Sequence, residues 1–213
     1  MKINVEITKM ALVHNPIKIE NLNEKKLVQK MVLRRRLSRS SKILINLAHE
    51  CEFETGVMIY GSAYGEITDT VSILQAIKSG EAVSPSTFQN SVYNTAASYH
   101  SILHGNKYEI LTLSCGDETS YNVAQQGALA LLKEDSVFVC CVEALNFQGV
   151  DNFNKCGVEL EYGVAFVLKK SDKTATDKVG DAIQNGVPAS LTWMKNLYDL
   201  CEIRKNVVVE IEL

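Results

Sequence analysis

Residues Tyr108–Lys133 read YEILTLSCGDETSYNVAQQGALALLK, and this stretch sets the fold class. The apolar run Ile110, Leu111, Leu113 stops at Ser114-Cys115-Gly116-Asp117. Val123, Ala124, Gly127, Ala128, Leu131 and Leu132 then recur on one helical face. Strand, glycine turn and helix in that order make a nucleophile elbow, which raises one side chain above a sheet at a helix N-terminus. Helix-end amides and the dipole there favour a negative group, whether thiolate, oxyanion or carboxylate. Cys115 and Asp117 are the candidates for the tip.

Upstream, Met1–Ile7 alternates as a first strand, while no periodic signal places residues 8–33. Leu33–Cys51 reads as a helix burying Leu37, Ile43, Leu44, Leu47 and Ala48, with Arg34-Arg35-Arg36 and Arg39 near its start. Such an arginine run reads as a solvated face, or more sharply as a site for an acidic partner. Gly56–Gly61 reads as a buried strand, Ile67–Lys78 as a helix ended by Gly80, and Phe88–Leu103 as a helix after the break at Ser84-Pro85. That last segment is rich in Asn, Ser and Ala, which suits close helix approach and a subunit interface. Downstream, Ser136–Val142 and Val158–Leu168 read as apolar strands, Leu191–Cys201 as a short amphipathic helix and Asn206–Leu213 as a final strand. This order predicts an α/β layered domain over residues 1–170 with a mostly parallel mixed sheet. Residues 171–213 form a linker plus a helix–strand remnant packing on the same domain.

The chain has 213 residues, 46% of them hydrophobic, enough for a sizeable core. Its net charge of −3 gives no global basic field for nucleic acid. No apolar run reaches membrane-span length and MKINVEITKM is too charged for a secretory signal, so the expected compartment is the cytoplasm. The six cysteines (51, 115, 140, 141, 156, 201) show no CxxC, and reduced thiols packed in the core are expected.

The segments RRRLSRSSKILINLAHE (34–50), GVMIYGSAYGEITDT (56–70), SPSTFQNSVYNTAASYHSI (84–102) and LTLSCGDETS (111–120) together resemble the N-terminal half of a β-ketoacyl-acyl-carrier-protein synthase of the thiolase-like fold. VFVCCVEAL (137–145) resembles the strand after the elbow helix, and CGVELEYGVAFVLKK (156–170) the glycine-containing strand that closes that half. The resemblance covers residues 34–170. Active ketosynthases carry an elbow like S-T-A-C followed by a small residue and serine. Aligned through Thr112, Leu113 and Ser114, their cysteine falls on Asp117, and Cys115 falls two residues earlier. Active members also need two histidines from the second half, whereas this sequence has none after His104. A carboxylate at the tip cannot hold an acyl group, because the anhydride it would form is too labile.

The resemblance therefore implies a second half largely missing and a chain-length-factor type of subunit, like the truncated subunit of aryl polyene biosynthesis. The implied partners are a full-length β-ketoacyl-ACP synthase, as a heterodimer, and an acyl carrier protein reached through that complex. In ketosynthase dimers the strand before the elbow pairs with its counterpart across a two-fold axis. Here that strand is Lys107–Ser114, and the interface residues are Phe88, Asn90, Val92, Asn94, Tyr99, Leu111 and Leu113. No catalytic residue, cofactor, metal, nucleic acid or membrane span is expected.

Plainer readings stand beside these. Asp117 suits a helix start as a local cap, or contacts substrate or partner. Cys115 ends an apolar strand and reads as a core residue, and Cys140 and Cys141 read as packing. His100 and His104 are spaced i,i+4, as metal ligands are, but no third ligand is evident, so surface or interface histidines are expected. Two further functional readings remain: a minimal acyltransferase or condensing enzyme using Cys115, and a non-enzymatic homodimeric scaffold.

Overall fold

The computed structural model describes residues 1–147, 158–175 and 177–213, so Cys156 lies outside the described residues. Strands β1 (Lys2–Asn15), β2 (Met58–Gly61), β3 (Ile110–Leu113), β4 (Val137–Ala144), β5 (Glu161–Lys170) and β6 (Val208–Glu212) form one sheet in the order β3-β2-β4-β5-β1-β6. The helices are α1 (Glu24–Leu27), α2 (Met31–Arg36), α3 (Arg39–Glu50), α4 (Ile67–Ser79), α5 (Pro85–Asn90), α6 (Thr95–His104), α7 (Thr119–Ala130) and α8 (Thr192–Ile203). Among the six strands the β3–β2 and β2–β4 pairs are parallel, and the β4–β5, β5–β1 and β1–β6 pairs are antiparallel. The expected parallel majority is thus narrower: β1 pairs antiparallel with both β5 and β6, and β5 pairs antiparallel with β4.

β4 is buried along its whole length, and its period of two sends alternate residues to opposite cores. Val137, Val139 and Cys141 meet α7 and α8 through Val123, Ala128, Met194 and Leu197. Phe138, Cys140 and Val142 join α3 and α6 through Leu44, Leu47, Ala96 and Ala97. Cys140 and Cys141 therefore pack on opposite faces, and burial pushes both thiols well above their ordinary pKa. Leu191, Met194, Leu197 and Ile211 belong to the core on the α7 side. Among the described residues no helix is long and apolar enough to cross a membrane.

Three segments differ from the sequence reading. The first strand continues to Asn15, with a register shift between Ile7 and Lys9 that disrupts the alternation. The helix expected over Leu33–Cys51 breaks at Leu37–Ser38. Ser38 is extended, and its hydroxyl accepts from Ser41 N at 3.1 Å as the N-cap of α3. The helix expected over Phe88–Leu103 is two helices, α5 and α6. Ser91 and Thr95 turn their hydroxyls onto the carbonyls of Phe88 and Asn90 across the break, at 2.9 and 2.8 Å.

Candidate functional site

The C-terminal ends of β2, β3 and β4 open at one end of the sheet, and three loops meet there. β3 ends at Leu113, whose carbonyl accepts from Ser62 N at 3.1 Å. Ser114 then leaves the strand and donates its hydroxyl to Ala63 O at 3.2 Å. The turn is made at Gly116, with φ +58°, where a side chain would be strained. Gly116–Glu118 form one 3₁₀ turn leading into α7. Thr119, fully buried, fixes that turn: its hydroxyl accepts from Cys115 N at 3.0 Å and donates to Gly116 O at 2.7 Å. Gly61 at the end of β2 lets α7 lie directly on the sheet. A Cβ there would sit 2.5 Å from Val123 Cγ2 and 2.8 Å from Thr119 Cγ2.

Cys115 is exposed, which corrects the expectation that it packs in the core. It lies just past the strand, where the chain has already turned outward. Asp117 and Glu118 are also exposed, at the positive end of α7, where carboxylates are favoured. The left-handed residue of the elbow is Gly116, so neither Asp117 nor Cys115 occupies the strained position. Beyond the turn, Asp117, Glu118 and Tyr121 face Asp181, Ile183 and Trp193 across a cleft of about 560 Å³. Tyr121 and Trp193 meet edge to face at 5.8 Å.

One buried carboxylate at this end of the sheet was not singled out from the sequence. Glu143, at the end of β4, is buried and holds the loops together. It accepts from Ser62 Oγ at 2.9 Å, Ala63 N at 2.7 Å, Tyr64 N at 3.4 Å and Ser190 Oγ at 2.8 Å. Burial pushes its pKa up to about 7, although the four donors favour the ionised form. A second buried carboxylate, Glu66, accepts from Ser38 at 2.7 Å and Ser40 at 3.2 Å. Burial raises it to about 7 as well. A single charge inside SVFVCCVEAL was the available signal for Glu143, since a charge in a buried strand needs partners.

None of the four histidines stands at the elbow. His14 stacks on Tyr162, 5.2 Å between ring centres. His49 and His104 line a smaller cleft with Phe53 on the α3–α6 side. His100 is fully buried between Phe53 and His104, a correction to its reading as a surface or interface residue. Burial, then the neighbouring His104, lower its pKa to about 4; the Phe53 main chain offsets part of this, yet neither ring nitrogen has a hydrogen-bond partner among the described residues. The elbow thus presents a thiol and carboxylates with no imidazole to act as base.

The expected interface residues separate into two sets. Asn90 and Tyr99 are buried inside the chain: Tyr99 donates its hydroxyl to Asn90 Oδ1 at 3.2 Å, and Asn90 Nδ2 donates to Arg36 O at 3.0 Å. They lock α5 to α6 and α2 rather than face outward. Phe88, Val92 and Asn94 are exposed, and Leu111 and Leu113 lie half-buried on β3, an edge of the sheet.

The family model for the β-ketoacyl synthase N-terminal domain matches residues 13–198. The chain belongs to this family. Among solved structures it is similar to "Ketosynthase (ApeO) in Complex with its Chain Length Factor (ApeC) from Xenorhabdus doucetiae", with TM-score 0.69 and 17% identity over 91% of each chain. It is also similar to "The ishigamide ketosynthase/chain length factor", with TM-score 0.62 and 11% identity over 81% of this chain and 63% of that one. A type II ketosynthase complex with its acyl-carrier protein, AntDE:AntF, gives TM-score 0.58 and 15% identity over 80% and 63%. Comparison with curated proteins returns no match. At these identities the structures establish the thiolase-like ketosynthase fold.

Proposed function

We propose that the chain is a non-catalytic, chain-length-factor-like subunit that pairs with an active β-ketoacyl-ACP synthase and shapes its acyl tunnel during polyene or fatty-acid-like elongation. One observation carries this reading: a ketosynthase elbow that keeps its turn and helix but presents Asp117 with no histidine beside it. β3 supports the pairing, since its outer edge carries backbone groups available to another strand. Phe88, Val92 and Tyr93 are large exposed apolar side chains, as are Leu74 and Ile77 on α4. A real interface over the β3 edge takes at least about 1,000 Å². The acyl carrier protein would be met through the partner complex.

The experiment is co-expression with a tagged full-length ketosynthase encoded beside it, followed by co-purification. Leu111→Pro should abolish recovery, because proline removes a donor from the paired strand and clashes within it. A stable monomer that ignores the synthase sinks the proposal. An equally stable homodimer supports the scaffold reading instead.

A further inference from the structure

Trp193, the chain's only tryptophan, and Tyr121 are the common wall of two clefts. One is the cleft of about 560 Å³ beside the elbow, with Asp117, Glu118 and Asp181. The other, of about 510 Å³, reaches β6 and holds Asp177, Glu210 and Glu212, with Lys2 and Lys178. Six carboxylates against Lys2, Lys178 and Arg204, which pairs with Asp177, leave a net charge of −3. The N-termini of α7 and α8 open beside the first cleft at Ser120 and Thr192. Their dipoles return about one positive charge between them, so the groove stays anionic at about −2.

Its walls are held from several sides. Asn196 of α8 donates to Gly180 O at 2.6 Å and Ala182 O at 3.1 Å, the carbonyls on either side of Asp181. Gln184 Nε2 donates to Asn196 Oδ1 at 2.7 Å and closes that bracket. On the β6 side, Gln125 of α7 donates to Glu212 O at 2.9 Å, and Lys2 answers Glu210 at 2.6 Å. Glu118 and Asp181 are exposed and have no ion pair among the described residues. Tyr121 and Trp193 are half-buried and cross at 69°, so ring faces as well as edges border the clefts. Thr192 lines the first cleft, and its hydroxyl oxygen has no hydrogen-bond partner among the described residues. Such a group is costly to bury unless something supplies a partner.

We propose that the two clefts are one binding site for a linear polyamine, a chain of protonated amines separated by methylene runs. The alternation of charge and hydrocarbon is what matches. Carboxylates in both clefts meet the terminal amines, while the methylenes lie over Tyr121, Trp193 and exposed Ile183. An ammonium within about 6 Å of a ring centre is drawn to the ring face. Thr192 gives one N–H an acceptor that no described residue uses. A bare metal ion fits less well, because the carboxylates are spread over two clefts. Among the described residues no group of three His, Cys, Asp or Glu could hold one. The site does not rest on pairing with a synthase.

The test uses the full chain. Trp193 reports on the site directly, because no other tryptophan contributes to the emission. Spermidine should change that emission saturably, with one equivalent bound by calorimetry, and should bind less tightly as salt is raised. A neutral α,ω-diol of equal length should not bind. Glu118→Gln/Asp181→Asn should weaken spermidine by roughly tenfold. Tyr121→Leu should weaken it severalfold and Tyr121→Phe should not, since the ring is kept. Glu50→Gln on α3, which packs on the opposite face of the sheet, should change nothing. Binding of the diol as tight as that of spermidine, or unchanged affinity in the double variant, overturns the proposal. So does magnesium that displaces spermidine at matched charge concentration, which marks a plain counterion cluster. The diol and magnesium titrations use the unaltered chain, so the outcome does not depend on a variant folding.

Discussion

Replacing Glu143 tests whether the loops at the elbow depend on one buried carboxylate. In Glu143→Ala, Ser62 Oγ, Ala63 N and Ser190 Oγ all lose an acceptor within 2.9 Å. The serine hydroxyls can turn elsewhere, but the Ala63 amide cannot. One to two buried donors left unsatisfied, together with a cavity, cost on the order of 3–5 kcal/mol, among the larger single-site effects. Glu143→Gln separates charge from shape. Its carbonyl can still accept from Ala63 N, at a cost of about 1 kcal/mol for the weaker bonds. The pH dependence has a definite sign. The folded pKa of about 7 lies above the ordinary 4.5, so this contribution is fully present below pH 4.5 and is lost as pH rises through 7. A shift of that size is worth about 3 kcal/mol at most. Urea unfolding from pH 5 to pH 8 should therefore show the wild-type advantage over Glu143→Gln shrinking as pH rises, while Glu66, common to both, cancels. Parallel curves would refute the idea that Glu143 is forced toward neutrality by burial.

His100 should act in the opposite direction. With a folded pKa of about 4 against 6.5, its contribution is complete above pH 6.5 and is lost as pH falls through 4, by about 3 kcal/mol, and His100→Phe should flatten that acid limb in thermal scans. Gly61→Ala should destabilise by about 1–3 kcal/mol, seen as a lower urea midpoint at unchanged slope, because the new methyl meets β-branched Val123 and Thr119. Asp117→Cys should not produce condensation by the chain itself, since a thiol at this turn has no imidazole beside it; acyl loading followed by elongation of malonyl carrier protein is the assay, and turnover would refute the reasoning.

The parts of the fold legible in the sequence are those set by local periodicity. SVFVCCV is apolar throughout because β4 is covered on both faces, and the 3.6-residue spacing of α7 survives because one side rests on β2 and β4. The breaks in the helices at Leu37–Ser38 and Ser91–Asn94 were not legible. Their causes are side-chain hydrogen bonds, some reaching distant residues such as that from Ser38 to Glu66, 28 positions away. The exposure of Cys115 was misread for a related reason: an apolar run predicts burial only as far as the strand extends, and β3 stops two residues earlier. Asn90 and Tyr99 read as interface residues because their polar groups needed partners. They find each other inside the chain instead.

The elbow's scaffold and its chemistry depend on different residues, so one can persist without the other. Gly116, Thr119 and Gly61 set the turn and seat α7 against the sheet through backbone conformation, a buried hydroxyl and the absence of a Cβ. None of these contacts uses the side chain of Cys115 or Asp117. Glu143 extends the same framework to the Ala189–Leu191 turn through Ser190, and from there Leu191 and then Met194 and Leu197 of α8 lie on the core that α7 shares. Selection for pairing or for shape would act on this framework, while selection for a nucleophile would act on the exposed positions at its turn. A ketosynthase elbow holding a carboxylate is therefore stable as a structure, and its retention is accounted for by what the turn and helix position around it.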